Sequence, residues 1–147
     1  MPCVNGSLGA QGPLLTVLIG ISVPRQSAMT AAGLLVPQYV TGTFLLDTGA
    51  SGTCVDPGLV APLGLTPTGN VQMQTPSTAG TPVTCSLFDI SMYIPGTGQT
   101  AGFMIEAIPV IEAGLRAQGI DGLLGRDVLD RCTFICNGSA GMFTLAY

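Results

Sequence analysis

Apolar and polar positions alternate over short stretches of this chain, and glycine or proline separates the stretches. That pattern predicts strands joined by turns rather than long helices. Residues 13–23 form the strongest strand signal, with an apolar run of ten from Leu14 to Val23 that reads as a buried strand. Residues 34–46 read as a second strand, interrupted near Pro37 and Gly42, and deliver the chain to Asp47. Between the two, residues 25–33 read as a connection with a short helical turn through Met29 to Ala32. Val71-Gln72-Met73-Gln74 and Val83-Thr84-Cys85-Ser86-Leu87 both alternate, and the small, turn-rich stretch 75–82 lies between them. Residues 71–94 therefore predict a hairpin. Residues 102–111 predict a further strand, residues 112–119 a loop or short helical turn, and residues 125–132 a helix with Val128, Leu129 and Cys132 on its apolar face. A terminal hairpin is expected from residues 133–136 and 142–147 on either side of Asn137-Gly138. Residues 1–12 are small and polar and read as an extended arm, ahead of one domain over residues 13–147.

Composition narrows the chemistry. The 147 residues contain no histidine and no lysine, only four arginines among the cations, and a formal charge of −4. Without histidine there is no Ser-His-Asp or Cys-His site and none of the usual zinc sites. Without lysine there is no Schiff base and no P-loop. The acidic balance argues against nucleic-acid binding, which needs clustered cations. Only 8% of the residues are charged while 47% are hydrophobic, so a packed core is expected. A surface so poor in charge is either covered by a partner or neutral and rich in Thr, Ser and Gln. The five cysteines have neither a disulfide framework nor a metal spacing, and reduced thiols in a cytoplasmic protein are the expectation. No metal, no cofactor and no membrane span is expected, because the apolar run at 14–23 is too short to cross a bilayer.

Two stretches carry the candidate chemistry. Thr43-Phe44-Leu45-Leu46 runs into Asp47-Thr48-Gly49-Ala50-Ser51, an apolar strand ending in an acid at a sharp turn. Glycine allows such a turn and threonine can lock it by hydrogen bonds. Downstream comes Ile120-Asp121-Gly122-Leu123-Leu124-Gly125-Arg126-Asp127. There is one Asp-Thr-Gly and no second Asp-Thr-Gly or Asp-Ser-Gly. Metal-free peptide hydrolysis needs one group to activate water and another to protonate the leaving amine, and two adjoining carboxylates sharing a proton supply both.

From about Pro13 to Tyr147 the order and spacing of these motifs resemble the retropepsins, the single-domain, retroviral-type aspartic proteases. The resemblance implies an all-β fold, a closed acid-protease (retropepsin-like) β-barrel with one short C-terminal helix. It also implies an aspartic endopeptidase active as a symmetric homodimer on an extended peptide or protein substrate. Asp47 would be the catalytic acid, its mate coming from the second subunit. Thr48 would hydrogen-bond across the two-fold axis, Gly49 would offer backbone to substrate, and Ala50 would complete the loop. Leu123, Leu124, Gly125 and Arg126 would pack behind that loop. Thr75, Pro76, Ser77, Thr78, Ala79, Gly80 and Thr81 would form the tip of a flap that closes over substrate.

Departures from the family pattern bear on these roles. Ser51 stands where retroviral enzymes often have an acid, so Arg126 needs another partner, Asp56 or solvent. Relative to pepsin-like sites, Ala50 in place of a serine removes a hydroxyl that would stabilise the ionised acid, so an activity maximum at mildly rather than strongly acidic pH is expected. Asp121 and Asp127 read as turn and helix-start residues, and Cys54 as a small buried hydrophobe. Phe88 and Tyr93 read as packing residues, and Phe134, Phe143 and Tyr147 as core or interface. Two other readings stand beside the enzyme: a non-catalytic dimeric peptide-binding module that retains the fold, and a self-processing unit of a longer polyprotein.

Overall fold

Ten strands form the framework of the chain in the computed structural model, which describes residues 1–75 and 79–147. In chain order they are β1 (Cys3–Gly9), β2 (Gly12–Ile21), β3 (Val40–Leu46), β4 (Cys54–Val55), β5 (Gly69–Met73), β6 (Val83–Ile94), β7 (Phe103–Glu112), β8 (Gly122–Leu124), β9 (Thr133–Asn137) and β10 (Met142–Ala146). Among the described residues three α-helices interrupt them, α1 (Val23–Ala31), α2 (Pro57–Val60) and α3 (Arg126–Leu129), with single 3-10 turns at Ala61–Leu63 and Arg116–Gln118. No helix among the described residues is long and apolar enough to cross a membrane.

Six strands close into a barrel. The hydrogen-bonded order β6-β7-β4-β8-β3-β2 returns on itself through a β2–β6 pairing. Two long strands make closure work by changing partners along their length. β2 pairs with β3 from Leu14 to Ile19 and with β6 from Leu18 to Ile21. β6 pairs with β5 over Val83–Leu87 and with β7 over Leu87–Ile94, with a bulge between Ile90 and Met92. A bulge bends its strand and sharpens the twist, as closure requires. Alternate residues of each strand then face one interior: Leu15, Val17, Ile19 and Ile21 of β2 are buried with Phe44 and Leu46 of β3 and Ile90, Met92 and Ile94 of β6. The continuous apolar run that begins at Leu14 is explained by this double pairing, which leaves β2 no edge.

The remaining strands are appendages. β5 extends β6 as a hairpin arm, and β1, β10 and β9 form an antiparallel extension beyond β2. The N-terminal segment is extended, as its composition suggests, yet it is no loose arm. Cys3 to Ser7 pair with Ala146 to Met142, and Gly6 packs directly beneath the Phe143 ring.

Residues 23–31 differ from expectation. They form a nine-residue helix, where the sequence reading has a connection with one helical turn. Pro24 sits in the first turn, where its missing N–H costs nothing, and Arg25, Gln26, Ala28, Met29 and Ala31 all favour helix. Gly33, with φ +70°, ends it. None of the helix is fully buried, which is why hydrophobic periodicity gave no sign of it. The strand predicted to start at 34 starts at Val40, and the helix predicted over 125–132 covers only Arg126–Leu129.

A small polar cluster pins the segment before β8. Asp56 caps α2 by accepting from the Gly58 N–H (2.8 Å), and its other oxygen accepts from the Leu115 and Arg116 N–H groups (2.8 and 2.9 Å). The Arg116 guanidinium bridges Asp121 (3.0 Å) and Asp56 (3.7 Å), and Asp121 accepts from the Thr43 N–H (2.9 Å). Burial opposes the charge on Asp56, but the backbone donors of Arg116, Leu115 and Gly58, with the guanidinium, outweigh it and hold the carboxyl below its ordinary value. A lowered carboxyl contributes stability that is present above the unfolded value, about 3.9, and is lost as pH falls through the folded one. Asp56→Ala is expected to destabilise the fold by roughly 1–3 kcal/mol at neutral pH, through the three orphaned donors. In urea titrations the gap to the unsubstituted protein should shrink as pH drops below about 4. A gap independent of pH would contradict this account.

Candidate active site

The turn that holds Asp47 forms where two parallel strands end together. β3 and β8 run side by side, pairing Phe44 with Gly122, Leu45 with Leu123 and Leu46 with Leu124. The Asp47 N–H continues the ladder by donating to the Leu124 carbonyl (3.0 Å). The chain then turns back on itself. The Gly49 N–H donates to Asp47 Oδ1 (2.8 Å), and the Ala50 N–H to the Asp47 carbonyl (3.3 Å). This is the local turn that an aspartate side chain favours. Gly49 is outside the left-handed region, so the turn does not use its conformational freedom. What it supplies is space, since a Cβ there would lie 3.1 Å from the Asp47 carboxylate.

Residues 125–127 clasp this loop from behind at several points. The Arg126 N–H donates to the Ala50 carbonyl (2.9 Å), and its guanidinium to the carbonyls of Thr48 (3.0 Å) and Gly49 (3.5 Å). Arg126 therefore does not pair with Asp56; its partners are carbonyls of the loop. Asp127 receives both the N–H (3.0 Å) and the hydroxyl (2.8 Å) of the fully buried Thr53, and the Gly125 N–H donates to that hydroxyl (3.2 Å). Gly125 itself lies against Gly52, where an added Cβ would come within 2.5 Å of backbone. Leu124 is buried in the barrel core, whereas Leu123, expected behind the loop, is only partly buried and lines the cleft beside it.

In front of the loop is an open cleft of about 510 Å³. Its floor is the segment from Asp47 to Cys54, and its other walls are β5 with Gln74 and Thr75, Ile111 of β7 and Leu123. The sequence reading missed the contributions of Val71, Met73 and Ile111. Alternation in Val71-Gln72-Met73-Gln74 marked a strand but could not say that it lines the same cleft as Asp47. Of the expected flap tip, Thr75 lines the cleft, Ala79, Gly80 and Thr81 are exposed, and Pro76, Ser77 and Thr78 lie outside the described residues. Gln74 Nε2 donates to the Gly80 carbonyl (3.0 Å) across the base of that tip.

Electrically the cleft is sparse. Among the described lining residues Asp47 is the one carboxylate, and none is a cation. Asp47 is partly buried, Thr48 is exposed, and the Thr48 hydroxyl has no hydrogen-bond partner within the described residues. Cys54 lies in the floor, 5% exposed, and burial first, then the nearby Asp127, Cys85 and Asp47, pushes its thiol up to about 11. No group of three or more His, Cys, Asp or Glu among the described residues is placed to hold a metal.

Gly125→Ala is expected to lower stability by roughly 1–3 kcal/mol, because the Cβ meets backbone that cannot step aside. Gly114→Ala, with nothing within 4 Å of the new Cβ, is the control and should change thermal stability little. For the thiols, a neutral-pH disulfide reagent should modify exposed Cys136 well before Cys54. Rapid loss of Cys54, followed by mass spectrometry of peptides, would contradict the burial described.

Comparison with known proteins agrees with this geometry. No curated protein matches the chain. A crystal structure of a retropepsin-like aspartic protease from Rickettsia conorii superposes with a TM-score of 0.54 at 16% identity, covering 99% of this chain and 90% of that one. At that identity the likeness is one of fold. The family model described as aspartyl protease matches residues 32–128, which include both the Asp47 loop and its Gly125–Asp127 clasp. By that match, over well more than half its length, the chain belongs to the aspartyl protease family, and its fold is retropepsin-like.

Proposed function

We propose that this chain is an aspartic endopeptidase that works as a symmetric homodimer, with Asp47 of each subunit meeting at the two-fold axis. The observation that carries the reading is the solitary Asp47 carboxylate, fixed by a clasped loop at the floor of an open, otherwise uncharged cleft. A lone carboxylate is a poor catalyst, since it cannot supply both the base and the acid that the reaction needs. Two in contact cannot both ionise and so share a proton, behaviour for which the aspartic proteases are themselves the reference case.

In the dimer, one carboxylate oxygen would take a proton from water as it attacks the peptide carbonyl. The protonated partner would give its proton to the carbonyl oxygen, forming a diol; the carboxyl that took the water proton would then pass it to the leaving nitrogen as the C–N bond breaks, while the partner recovers a proton from a diol hydroxyl. The loop geometry suits this role. Gly49 N–H steadies one oxygen of Asp47 at 2.8 Å, and the second oxygen forms no hydrogen bond among the described residues. The unpartnered Thr48 hydroxyl is available to the other subunit, in keeping with a bond across the axis. β5 and the hairpin tip from Thr75 to Thr81 would cover an extended peptide lying as an added strand over Val71, Met73, Ile111 and Leu123. Cleft closure would strengthen the charges within by excluding water.

Asp47→Asn is the decisive variant. It should cut peptide cleavage by roughly 10²–10⁴-fold or more, while sedimentation and circular dichroism stay as in the unsubstituted protein. The rate for the unsubstituted protein should peak at mildly acidic pH, since Ala50 offers no hydroxyl to the carboxylate. A maximum near about pH 2 would contradict that expectation. Failure of the unsubstituted dimer to cleave a random peptide library would favour a peptide-binding module on the same fold.

A further inference from the structure

Arg126 is an exposed cation that makes no ion pair among the described residues. Its guanidinium Nη1 donates to the Thr48 carbonyl (3.0 Å) and, at longer range, to the Gly49 carbonyl (3.5 Å). Its own backbone N–H donates to the Ala50 carbonyl (2.9 Å). Three successive carbonyls of the Asp47 loop therefore turn to one residue, and Nη1 bridges the two that flank Gly49.

The Thr48 carbonyl and the Gly49 N–H belong to a single planar peptide group. That N–H is the donor that reaches Asp47 Oδ1 (2.8 Å), the one hydrogen bond on this carboxylate among the described residues. Guanidinium, peptide and carboxylate thus form one line of donors and acceptors. A peptide plane turns as a unit, so fixing its carbonyl aims its N–H. A positive charge at the carbonyl also polarises the peptide and strengthens the N–H as a donor. We infer that Arg126 is a positioning residue, a role that rests on the protease reading above: acting through the 48–49 peptide, it aims the Gly49 N–H at Asp47 and favours the ionised carboxylate. Lysine would keep the charge but on a compact ammonium, without the planar fork that spans neighbouring acceptors.

Few other ionisable groups surround the loop. α3 also carries Asp127, whose carboxylate takes the N–H and hydroxyl of Thr53. β4 carries Cys54, and burial first, then nearby charges, pushes that thiol up to about 11, so it is neutral in the acid range. β6 brings Cys85 near Cys54, and β7 ends in Glu112, which pairs with Val55. β3, β5 and β8 contain no charged residue. These groups are retained when Arg126 is replaced, so a movement of the rate profile reports on Arg126.

The test compares Arg126→Ala and Arg126→Lys with the unsubstituted protein, at concentrations that keep all three dimeric. Arg126→Ala should lower kcat by roughly 10–100-fold and leave KM within about twofold, because the loop that aims the acid is loosened while the cleft walls are untouched. The acid limb of kcat/KM, on which the carboxyl pair loses its first proton, should move to higher pH. Arg126→Lys should recover part of kcat and part of the displacement, and it carries the same measurements if the alanine variant does not fold. Arg25→Ala, which removes an exposed arginine from α1, should leave kcat, KM and the profile unchanged. The second measurement needs no activity: in proton–nitrogen correlation spectra the Gly49 amide proton should move upfield in both Arg126 variants as its bond to Asp47 weakens. A Gly49 resonance and a rate profile that stay in place, with the rate falling only as the folded fraction falls, overturn this role and leave the protease reading standing. A Gly49 amide that moves in a protein that never cleaves peptide supports the coupling and removes the protease reading.

Discussion

The parallel pairing of β3 with β8 is the constraint on which the rest depends. It makes two strands, far apart in sequence, end at the same level, so that the Asp47 turn and the Gly125–Asp127 turn emerge back to back. Each then satisfies the other's backbone. Leu124 accepts from Asp47, Ala50 accepts from Arg126, and Asp127 takes both donors of Thr53. Buried loop backbone is costly without partners, and here the partners come from a single facing segment. Gly125 permits the approach, because any side chain would stand where the backbone of Gly52 runs.

The barrel exists, in energetic terms, to hold those two strand ends in register. β2 and β6 change partners midway and so close the sheet around an interior of Ile, Leu, Val, Phe and Met. Closure removes the slippage that an open sheet of this composition would tolerate, since a one-residue slip would turn every buried side chain outward. The second apolar cluster, where Cys54, Leu115 and Ile120 are buried against Leu14, Leu45, Met73, Ile111 and Leu123, continues from under the hairpin to the cleft wall. The cleft wall is thus an extension of the packing that stabilises the loop.

Charge is scarce in this chain, and much of it serves as fastening. Arg116 ties Asp56 and Asp121 together, Arg126 grips loop carbonyls, and Asp127 secures Thr53. Asp47 differs from these. Its carboxylate takes one hydrogen bond, from its own turn, and has no ion pair among the described residues. The fold thus satisfies Asp56, Asp121 and Asp127 with backbone, hydroxyl or guanidinium donors and leaves one oxygen of Asp47 without a hydrogen bond among the described residues.

Sequence alone determined the parts whose physics is local. The apolar run entering Asp47, the two-residue alternation of β5 and β6, the turn at Asn137-Gly138 and the absence of histidine and lysine are each readable within a few residues; they indicate a strand-rich chain, and the acid-protease barrel followed from the resemblance of the Asp47 and Asp121–Asp127 motifs to the retropepsins. Tertiary structure alone decided who meets whom. Helix α1 was hidden because it buries no complete face, and the two-residue β4 because it is too short to show a period. That Arg126 would grip Thr48 and Gly49 rather than Asp56, that Thr53 would meet Asp127, and that Val71 and Met73 would line the cleft with the acid all depend on strand register between distant segments. Periodicity reports which face of a strand is buried and carries no information about the strand beside it. That choice is made by the closure of the whole barrel, where every pairing must be satisfied together.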